Sequence, residues 1–237
     1  GDVVIYPSGS NKGVAVSVPE VIRGMRERGY DMPVLLRIEN ILDSQITLLH
    51  ESFRKAIAEL GYRGEYRGVF PIKVNQHQGV AGTLASHHGE GFGLEAGSKP
   101  ELIAAMAHMH NPNAYLICNG YKDDEFIDLA LTAQKMGLNI FIVLEMPSEL
   151  DVIMERARRM DIRPNLGVRV KLAAKGSGLW QESAGDKSVF GLNAAQVVDV
   201  VDKLKQVDAL DCLKLLHYHQ GSQIPNISVV REGLTEA

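Results

Sequence analysis

The chain has 237 residues, 45% of them hydrophobic, and a formal net charge of −4. Because both signs of charge are spread along the sequence without a basic run, the composition argues against nucleic acid or an anionic membrane surface and favours a small-molecule partner. No apolar run approaches membrane-spanning length, and the two cysteines, Cys118 and Cys212, lie in or beside apolar runs, which indicates buried thiols in a reducing, cytoplasmic setting.

The first segment, "VVIYPSGSNKGVAVSVPEV", has two short β-rich runs around a turn-forming stretch and predicts a β hairpin. The rhythm changes from about Leu35 onward, where short apolar runs alternate with amphipathic helical patterns. We therefore expect residues 1–35 to be an N-terminal β segment of a second β domain that leads into a barrel, and residues 36–237 to be part of that barrel.

The alternation of strand and helix predicts a parallel α/β architecture with nearly continuous apolar strands. The predicted strands are "PVLLRI", "GVFPIKV", "GFGLEA", "NAYLICN", "NIFIVLE", "NLGVRVKL" and "DCLKLLHYH". The predicted helices between them are Gln45 to Leu60, Lys99 to Met109, Asp124 to Met136, Ser148 to Met160 and Ala194 to Gln206.

Polar or ionisable residues recur where these predicted strands end. They are Lys73, Glu95, Asn119, Glu145, Arg169, and His217 with His219. Catalysis in a (β/α)8 barrel takes place at that rim, so the pattern favours a TIM-type barrel over a doubly wound sheet, whose glycine-rich first turn is missing here. Seven candidate strands leave an eight-stranded barrel open. We therefore expect an incomplete barrel, with the remaining strands outside this chain.

Lys73 stands in "VFPIKVNQ", between two aliphatic residues at the end of a predicted buried strand. Two explanations for a lysine at such a position are about equally common: the side chain extends its amine into solvent, or the amine has a function. In apolar surroundings the charged ammonium is disfavoured, which makes lysine nucleophilic toward carbonyls, including that of pyridoxal phosphate. The strand alternation predicts that Lys73 points inward while Ile72 and Val74 face the other side.

His217 and His219 are two residues apart, hence on one face of a strand, and Ser222 follows in a glycine-containing turn that could direct donors toward an anion. Three explanations stay open: a hydrogen-bonded pair, two ligands of a metal ion, or an imidazole platform for an aromatic ring with Ser222 on a phosphate. Arg169 could donate to a phenolate or carboxylate, or form a surface ion pair.

Three further features of the sequence are a polar loop, a cysteine and a pair of histidines. The polar, glycine-rich stretch from Lys175 to Leu192, which holds Trp180, predicts a lid. Cys118 is more plausible as a core residue than as a nucleophile. The His87–His88 pair follows a helical pattern and is interpreted as a solvated helix end.

The motifs "RGVFPIKVNQ", "FGLEAGSKPEL", "ICNGYKDDEFIDLAL", "LGVRVKLAAKGSGLWQ", "DKSVFGL" and "LLHYHQGSQI" together resemble the biosynthetic arginine decarboxylases. These pyridoxal-phosphate enzymes of the alanine-racemase-like barrel fold convert arginine to agmatine for polyamine synthesis. The resemblance implies that Lys73 binds the cofactor covalently, that His219 rather than His217 stacks on its ring, that Ser222 contributes to the phosphate site and that Arg169 lies near the phenolic oxygen. Glu95 falls where relatives carry an acidic residue beside the cofactor.

The same resemblance implies Mg²⁺ and a homodimer or larger homo-oligomer, although the sequence offers no carboxylate cluster for the metal. It also implies that the glycine-rich phosphate loop, the acidic partner of the ring nitrogen and the C-terminal β domain are absent from this chain, which should be inactive alone. Alternatives are a decarboxylase or racemase of another basic amino acid on the same fold, a metal-dependent hydrolase using His217 and His219, or a cofactor-binding chain without catalysis.

Overall fold

The computed structural model describes residues 1–9, 13–87, 92–172, 188–221 and 224–237. At the N-terminal end, strands β1 (Val4–Ile5) and β2 (Val16–Ser17) pair antiparallel, which confirms the predicted hairpin. Helix α1 (Val18–Glu27) follows directly and was not predicted. Ser17 caps it by accepting a hydrogen bond from the backbone N–H of Glu20, and Pro19 suits the first turn because its missing N–H is not needed there.

Six parallel strands in sequence order form the main sheet: β3 (Val69–Pro71), β4 (Gly93–Ala96), β5 (Tyr115–Cys118), β6 (Asn139–Leu144), β7 (Leu166–Arg169) and β8 (Leu213–His217). Each strand lies beside its neighbour in the sequence. A doubly wound sheet reverses strand order at a switch point, whereas a β/α barrel does not, so this order confirms the barrel-type α/β fold. Among the described residues β3 and β8 pair on one side only, so the sheet does not close.

The helices that connect the strands agree closely with the sequence pattern. They are α2 (Glu39–Leu60), α3 (Gln78–Ser86), α4 (Lys99–Met106), α5 (Asp124–Lys135), α6 (Ser148–Arg159), α7 (Ala194–Gln206) and α8 (Ile227–Glu236). All five predicted helices are present, and α7 has the predicted bounds. The stretch at residues 33–38, "PVLLRI", is not a strand, and α2 begins directly after it. No helix in the described part of the chain has the length and apolar character needed to cross a membrane.

Side chains alternate between the two faces of the sheet, as the pleat requires. One face packs on the helices in the main core, where Leu94, Leu116, Ile142 and Leu144 are fully buried. The other face lines the interior of the barrel and holds a smaller apolar cluster, with Ile117, Phe141 and Val143 at its centre and Val69, Tyr115 and Leu215 packed against them. This alternation decides which residue at each strand end points to the interior.

His87 is buried rather than solvated, so its interpretation as a solvated helix end is wrong. Its Nδ1 atom lies 3.0 Å from an Asp43 carboxylate oxygen, and its Nε2 atom lies 3.2 Å from the Thr47 hydroxyl. Both partners belong to α2. The ring therefore joins the end of α3 to α2, and the neighbouring His88 lies outside the described residues.

Candidate active site

In five neighbouring strands the inward-facing residue within one position of the strand's end is polar. These residues are Glu95, Asn119, Glu145, Arg169 and His217, each two positions beyond an interior residue of its strand. Because parallel strands bring their carboxyl ends to one edge, the side chains gather at one rim. The structure thus brings together the rim residues that the sequence pattern pointed to.

Lys73 reaches the same rim by a different route from the one predicted. Strand β3 ends at Pro71, and the next three residues form a single 3-10 turn. Strand alternation therefore stops before the lysine: Ile72 is buried and Val74 is exposed, rather than both facing one side. The Lys73 side chain is 60% exposed, so the amine does not lie in the apolar surroundings that its position after a buried strand suggested. Its amine is accessible from the rim, as reaction with an incoming carbonyl would require.

The Lys73 amine faces the carboxylate of Glu95, with 3.9 Å between Nζ and Oε2. Only 5% of Glu95 is exposed, and burial raises the pKa of its carboxyl group, against the opposing effect of the Lys73 charge. Among the described residues neither Glu95 oxygen has a hydrogen-bond partner, nor do Asn119 Oδ1 and His217 Nδ1. All three residues line a cleft of about 820 Å³ inside the open barrel. Buried polar atoms normally find partners, so this cleft is suited to a polar ligand.

Arg169 is held at the rim by an ion pair. Its Nη1 atom lies 3.2 Å from each carboxylate oxygen of Glu145, and the guanidinium carbon lies 5.2 Å from the centre of the Phe190 ring. The Glu145 oxygen Oε1 also accepts a hydrogen bond of 2.9 Å from the backbone N–H of Gly120. The alternative of a surface ion pair is wrong, because the Glu145 side chain is 0% exposed. The guanidinium is thereby fixed in orientation, with further N–H donors for a ligand.

The two histidines differ in position. Strand β8 ends at His217, which points into the cleft, whereas His219 follows beyond the strand and is exposed. Desolvation of the ring, followed by the charges of Arg169 and Lys73, lowers the pKa of His219, and the charge of Glu145 opposes that shift. Within the described ranges no group of three or more His, Cys, Asp or Glu residues could hold a metal ion.

His217 predicts a dependence of stability on pH. Burial lowers the pKa of its ring to about 4, and the charges of Arg169, His219 and Lys122 act in the same direction. An unfolded histidine titrates near a pKa of about 6.5, so the stabilisation is complete above that pH and is lost as the pH falls toward about 4. Unfolding in urea without added ligand should show a loss from this group of about 2 kcal/mol between pH 7 and pH 5.

The matched variant is His217→Gln, which keeps a neutral polar side chain but does not titrate. Its free energy of unfolding should fall less than that of the wild type over the same pH interval, by about the 2 kcal/mol assigned to the ring. Equal losses in the two proteins would show that His217 does not carry this pH dependence.

Other residues singled out in the sequence have different outcomes. Cys118 is a core residue, as predicted: it is fully buried, and burial raises the pKa of its thiol to about 12. Cys212 is likewise buried, and neither cysteine forms a disulfide. Ser222 lies outside the described residues, and so does most of the predicted lid, including Trp180.

Two charged residues behind the rim, Lys122 and Glu149, escaped sequence reasoning. Both side chains are buried, with 0% and 3% exposed, and Lys122 Nζ lies 3.3 Å from Glu149 Oε1. Lys122 belongs to "NGYKD", directly after β5, and Glu149 belongs to the first turn of α6. The sequence did contain a signal for this pair. In two adjacent β/α units a charged residue follows an apolar strand, and the two charges are opposite.

Comparison with known proteins identifies the family of the chain. Residues 44–237 match the family described as "Pyridoxal-dependent decarboxylase, pyridoxal binding domain". The chain is 52% identical over 237 residues to a biosynthetic arginine decarboxylase of Xanthomonas campestris, covering all of this chain and 37% of that protein. It therefore spans little more than a third of the length of this relative.

Solved structures give the same picture. The crystal structure of the biosynthetic arginine decarboxylase of Campylobacter jejuni matches with a TM-score of 0.86 at 33% identity, over 100% of this chain and 38% of that one. A diaminopimelate decarboxylase of Helicobacter pylori matches with a TM-score of 0.67 at 18% identity, over 89% of this chain and 50% of that one, and supports the fold alone. From the match over residues 44–237, the chain belongs to the pyridoxal-dependent decarboxylase family.

Proposed function

We propose that the full-length protein carrying this chain decarboxylates L-arginine to agmatine and carbon dioxide, as the first step of polyamine synthesis, with pyridoxal 5′-phosphate as cofactor. The observation that carries the proposal is the accessible Lys73 amine 3.9 Å from the buried Glu95 carboxylate, beside a cleft with unpartnered polar atoms. The substrate is proposed from identity over the whole chain to a protein named biosynthetic arginine decarboxylase.

The residues at the rim fit the cofactor. We propose that Lys73 holds it covalently through Nζ, that Arg169 donates to its phenolic oxygen and that His219 offers a flat neutral ring on which it can stack. Ser222 is proposed to contribute to the phosphate site. The orphaned buried oxygens of Glu95 and Asn119 support this fit, because they leave acceptors directed at a polar group in the cleft.

When bound, pyridoxal phosphate supplies an electron sink for the negative charge left by loss of carbon dioxide. The chain's own residues perform the remaining tasks. Lys73 would hold the cofactor through Nζ until the substrate amine displaces it, and the freed Nζ can then carry a proton. Glu95 accepts or returns a proton next to that amine, because burial raises the pKa of its carboxyl group toward the range useful for acid–base catalysis.

We further propose that residues 1–35 belong to a second β domain, that residues 36–237 form part of a barrel completed by sequence outside this chain, and that the protein is a cytoplasmic homodimer or larger homo-oligomer. The two free, buried cysteines support a reducing compartment. Magnesium is proposed only from the family resemblance. Among the described residues no group of three or more His, Cys, Asp or Glu side chains could hold a metal ion, so these residues do not fit it.

The test uses the full-length protein purified with pyridoxal phosphate. After reduction with borohydride, peptide mass spectrometry should locate the phosphopyridoxyl group on Lys73. Release of carbon dioxide should then be compared for arginine, ornithine, lysine and diaminopimelate, and kcat/KM should be highest for arginine. A label on another lysine would contradict the assigned site, and a higher kcat/KM for another amino acid would contradict the assigned substrate.

A further inference from the structure

The proposed function gives no task to the buried ion pair of Lys122 and Glu149. Lys122 Nζ lies 3.3 Å and 3.4 Å from the two Glu149 oxygens and donates a hydrogen bond of 2.5 Å to the carbonyl oxygen of Gly120. Burial lowers the pKa of Lys122, and the charges of Glu149 and Glu145 oppose that shift. Removing two charges from water is costly, so a buried pair adds little net stability, and its contacts must show whether it has a positional role instead.

Glu149 joins two neighbouring β/α units. Its Oε1 atom accepts a hydrogen bond of 3.0 Å from the backbone N–H of Lys122, which follows β5. Its Oε2 atom accepts one of 2.7 Å from the backbone N–H of Glu145, directly after β6. A single carboxylate thus sets the relative position of the two loops that contribute Gly120 and Glu145 to the rim.

These two loops hold Arg169. Gly120 has a φ of +75° and lies against Gly97, where an added Cβ would come within 3.0 Å of the Gly97 carbonyl oxygen. In this conformation Gly120 donates its N–H to Glu145 Oε1 while its carbonyl oxygen accepts from Lys122. Glu145 in turn accepts from Arg169 with both oxygens. The contacts form one chain from Lys122 through Gly120 and Glu145 to Arg169.

The balance of charges also links the Lys122–Glu149 pair to Arg169. Lys122 and Arg169 bring two positive charges to the two negative charges of Glu145 and Glu149, and both carboxylates are almost fully buried. Without Lys122, one guanidinium would face two buried carboxylates, and the Gly120 carbonyl would lose its donor. Arg169 would then be drawn toward the excess negative charge and away from a ligand at the rim.

We infer that Lys122 and Glu149 are positioning residues that hold Arg169, through Gly120 and Glu145, in the orientation that binds the cofactor. The inference rests on the proposed function, because the contact of Arg169 with the cofactor belongs to that proposal. Neither residue of the pair needs to touch cofactor or substrate. Their effect on binding should therefore depend on the presence of Arg169.

A double-mutant cycle on the full-length protein tests this dependence. Cofactor-free wild type, Lys122→Met, Arg169→Met and the double variant are titrated with pyridoxal phosphate, and the dissociation constant is measured for each. Lys122→Met should weaken binding roughly tenfold when Arg169 is present and by less than about twofold when it is absent, since coupled residues are not additive. A general loss of structural integrity would weaken binding by the same factor in both backgrounds.

Control variants separate the outcomes. Lys55→Met removes a lysine in α2 that is 77% exposed and pairs only with Glu59 one turn further along the helix surface among the described residues, and it should leave the dissociation constant unchanged. Lys122→Arg should restore part of the lost affinity. If Lys122→Met does not fold, Glu149→Gln takes its place in the same cycle.

Equal factors in the two backgrounds, or no weakening by the Lys122 and Glu149 variants, would overturn this inference and leave the proposed function intact. A wild type that does not bind pyridoxal phosphate would overturn both.

Discussion

Replacing Lys73 with alanine in the full-length protein is expected to abolish covalent attachment of pyridoxal phosphate and to lower kcat for arginine by at least roughly 10³-fold. The amine is proposed both to bind the cofactor and to transfer protons, so its removal affects more than one step. Lys122 cannot take its place, because that side chain is fully buried and paired with Glu149. The measurements are carbon dioxide release and mass spectrometry after borohydride reduction.

Two matched variants separate the chemistry of Lys73 from its charge and from general damage. Lys73→Arg keeps a positive charge beside Glu95 but lacks a primary amine, and it should be as inactive as Lys73→Ala. Lys55→Ala removes a lysine in α2 that is 77% exposed and pairs with Glu59 on the helix surface, and it should retain activity close to that of the wild type. Covalent label and near-normal turnover in Lys73→Ala would show that a different amine holds the cofactor.

The rim could be predicted from sequence because it depends on two local regularities. The apolar runs revealed the strands, and the polar residues that end them, such as Glu95, Glu145 and Arg169, lie two positions after interior residues, as the pleat requires. The order of strands in the sheet then followed from the alternation with helices. Helix α1 was also predictable, since Ser17 followed by Pro19 and Glu20 is a helix-start pattern.

What could not be predicted depends on partners distant in the sequence. The burial of His87 follows from its contact with Asp43, 44 positions away, and that of Lys122 from its contact with Glu149, 27 positions away. Hydrophobic periodicity carries no information on such pairs. The exposure of Lys73 was missed for a different reason: the chain leaves the strand for a 3-10 turn after Pro71, although apolar and polar residues continue to alternate.

Gly93→Ala is expected to lower the free energy of unfolding of the full-length protein by about 3 kcal/mol, near the upper end of overpacking effects. Gly93 begins β4, and an added Cβ would come within 2.2 Å of the backbone carbonyl oxygen of Tyr115 in β5. A backbone atom in a paired strand cannot rotate away as a side chain can, so β4 and β5 must move apart. Unfolding in urea, followed by circular dichroism, measures the loss.

The control is the same substitution at Gly82, which lies within α3. Among the described residues an added Cβ there would meet the His108 ring alone, at an ordinary contact of 3.7 Å. Alanine favours helix, so Gly82→Ala should stabilise the protein by roughly 0.5–1 kcal/mol. The two glycine-to-alanine substitutions should therefore change the free energy of unfolding in opposite directions. That result would show that close strand packing, rather than glycine content, sets the stability. Because Glu95 lies two residues beyond Gly93, Gly93→Ala should also weaken binding of pyridoxal phosphate, whereas Gly82→Ala should not. A Gly93→Ala protein as stable as the wild type would contradict the close approach of β4 and β5.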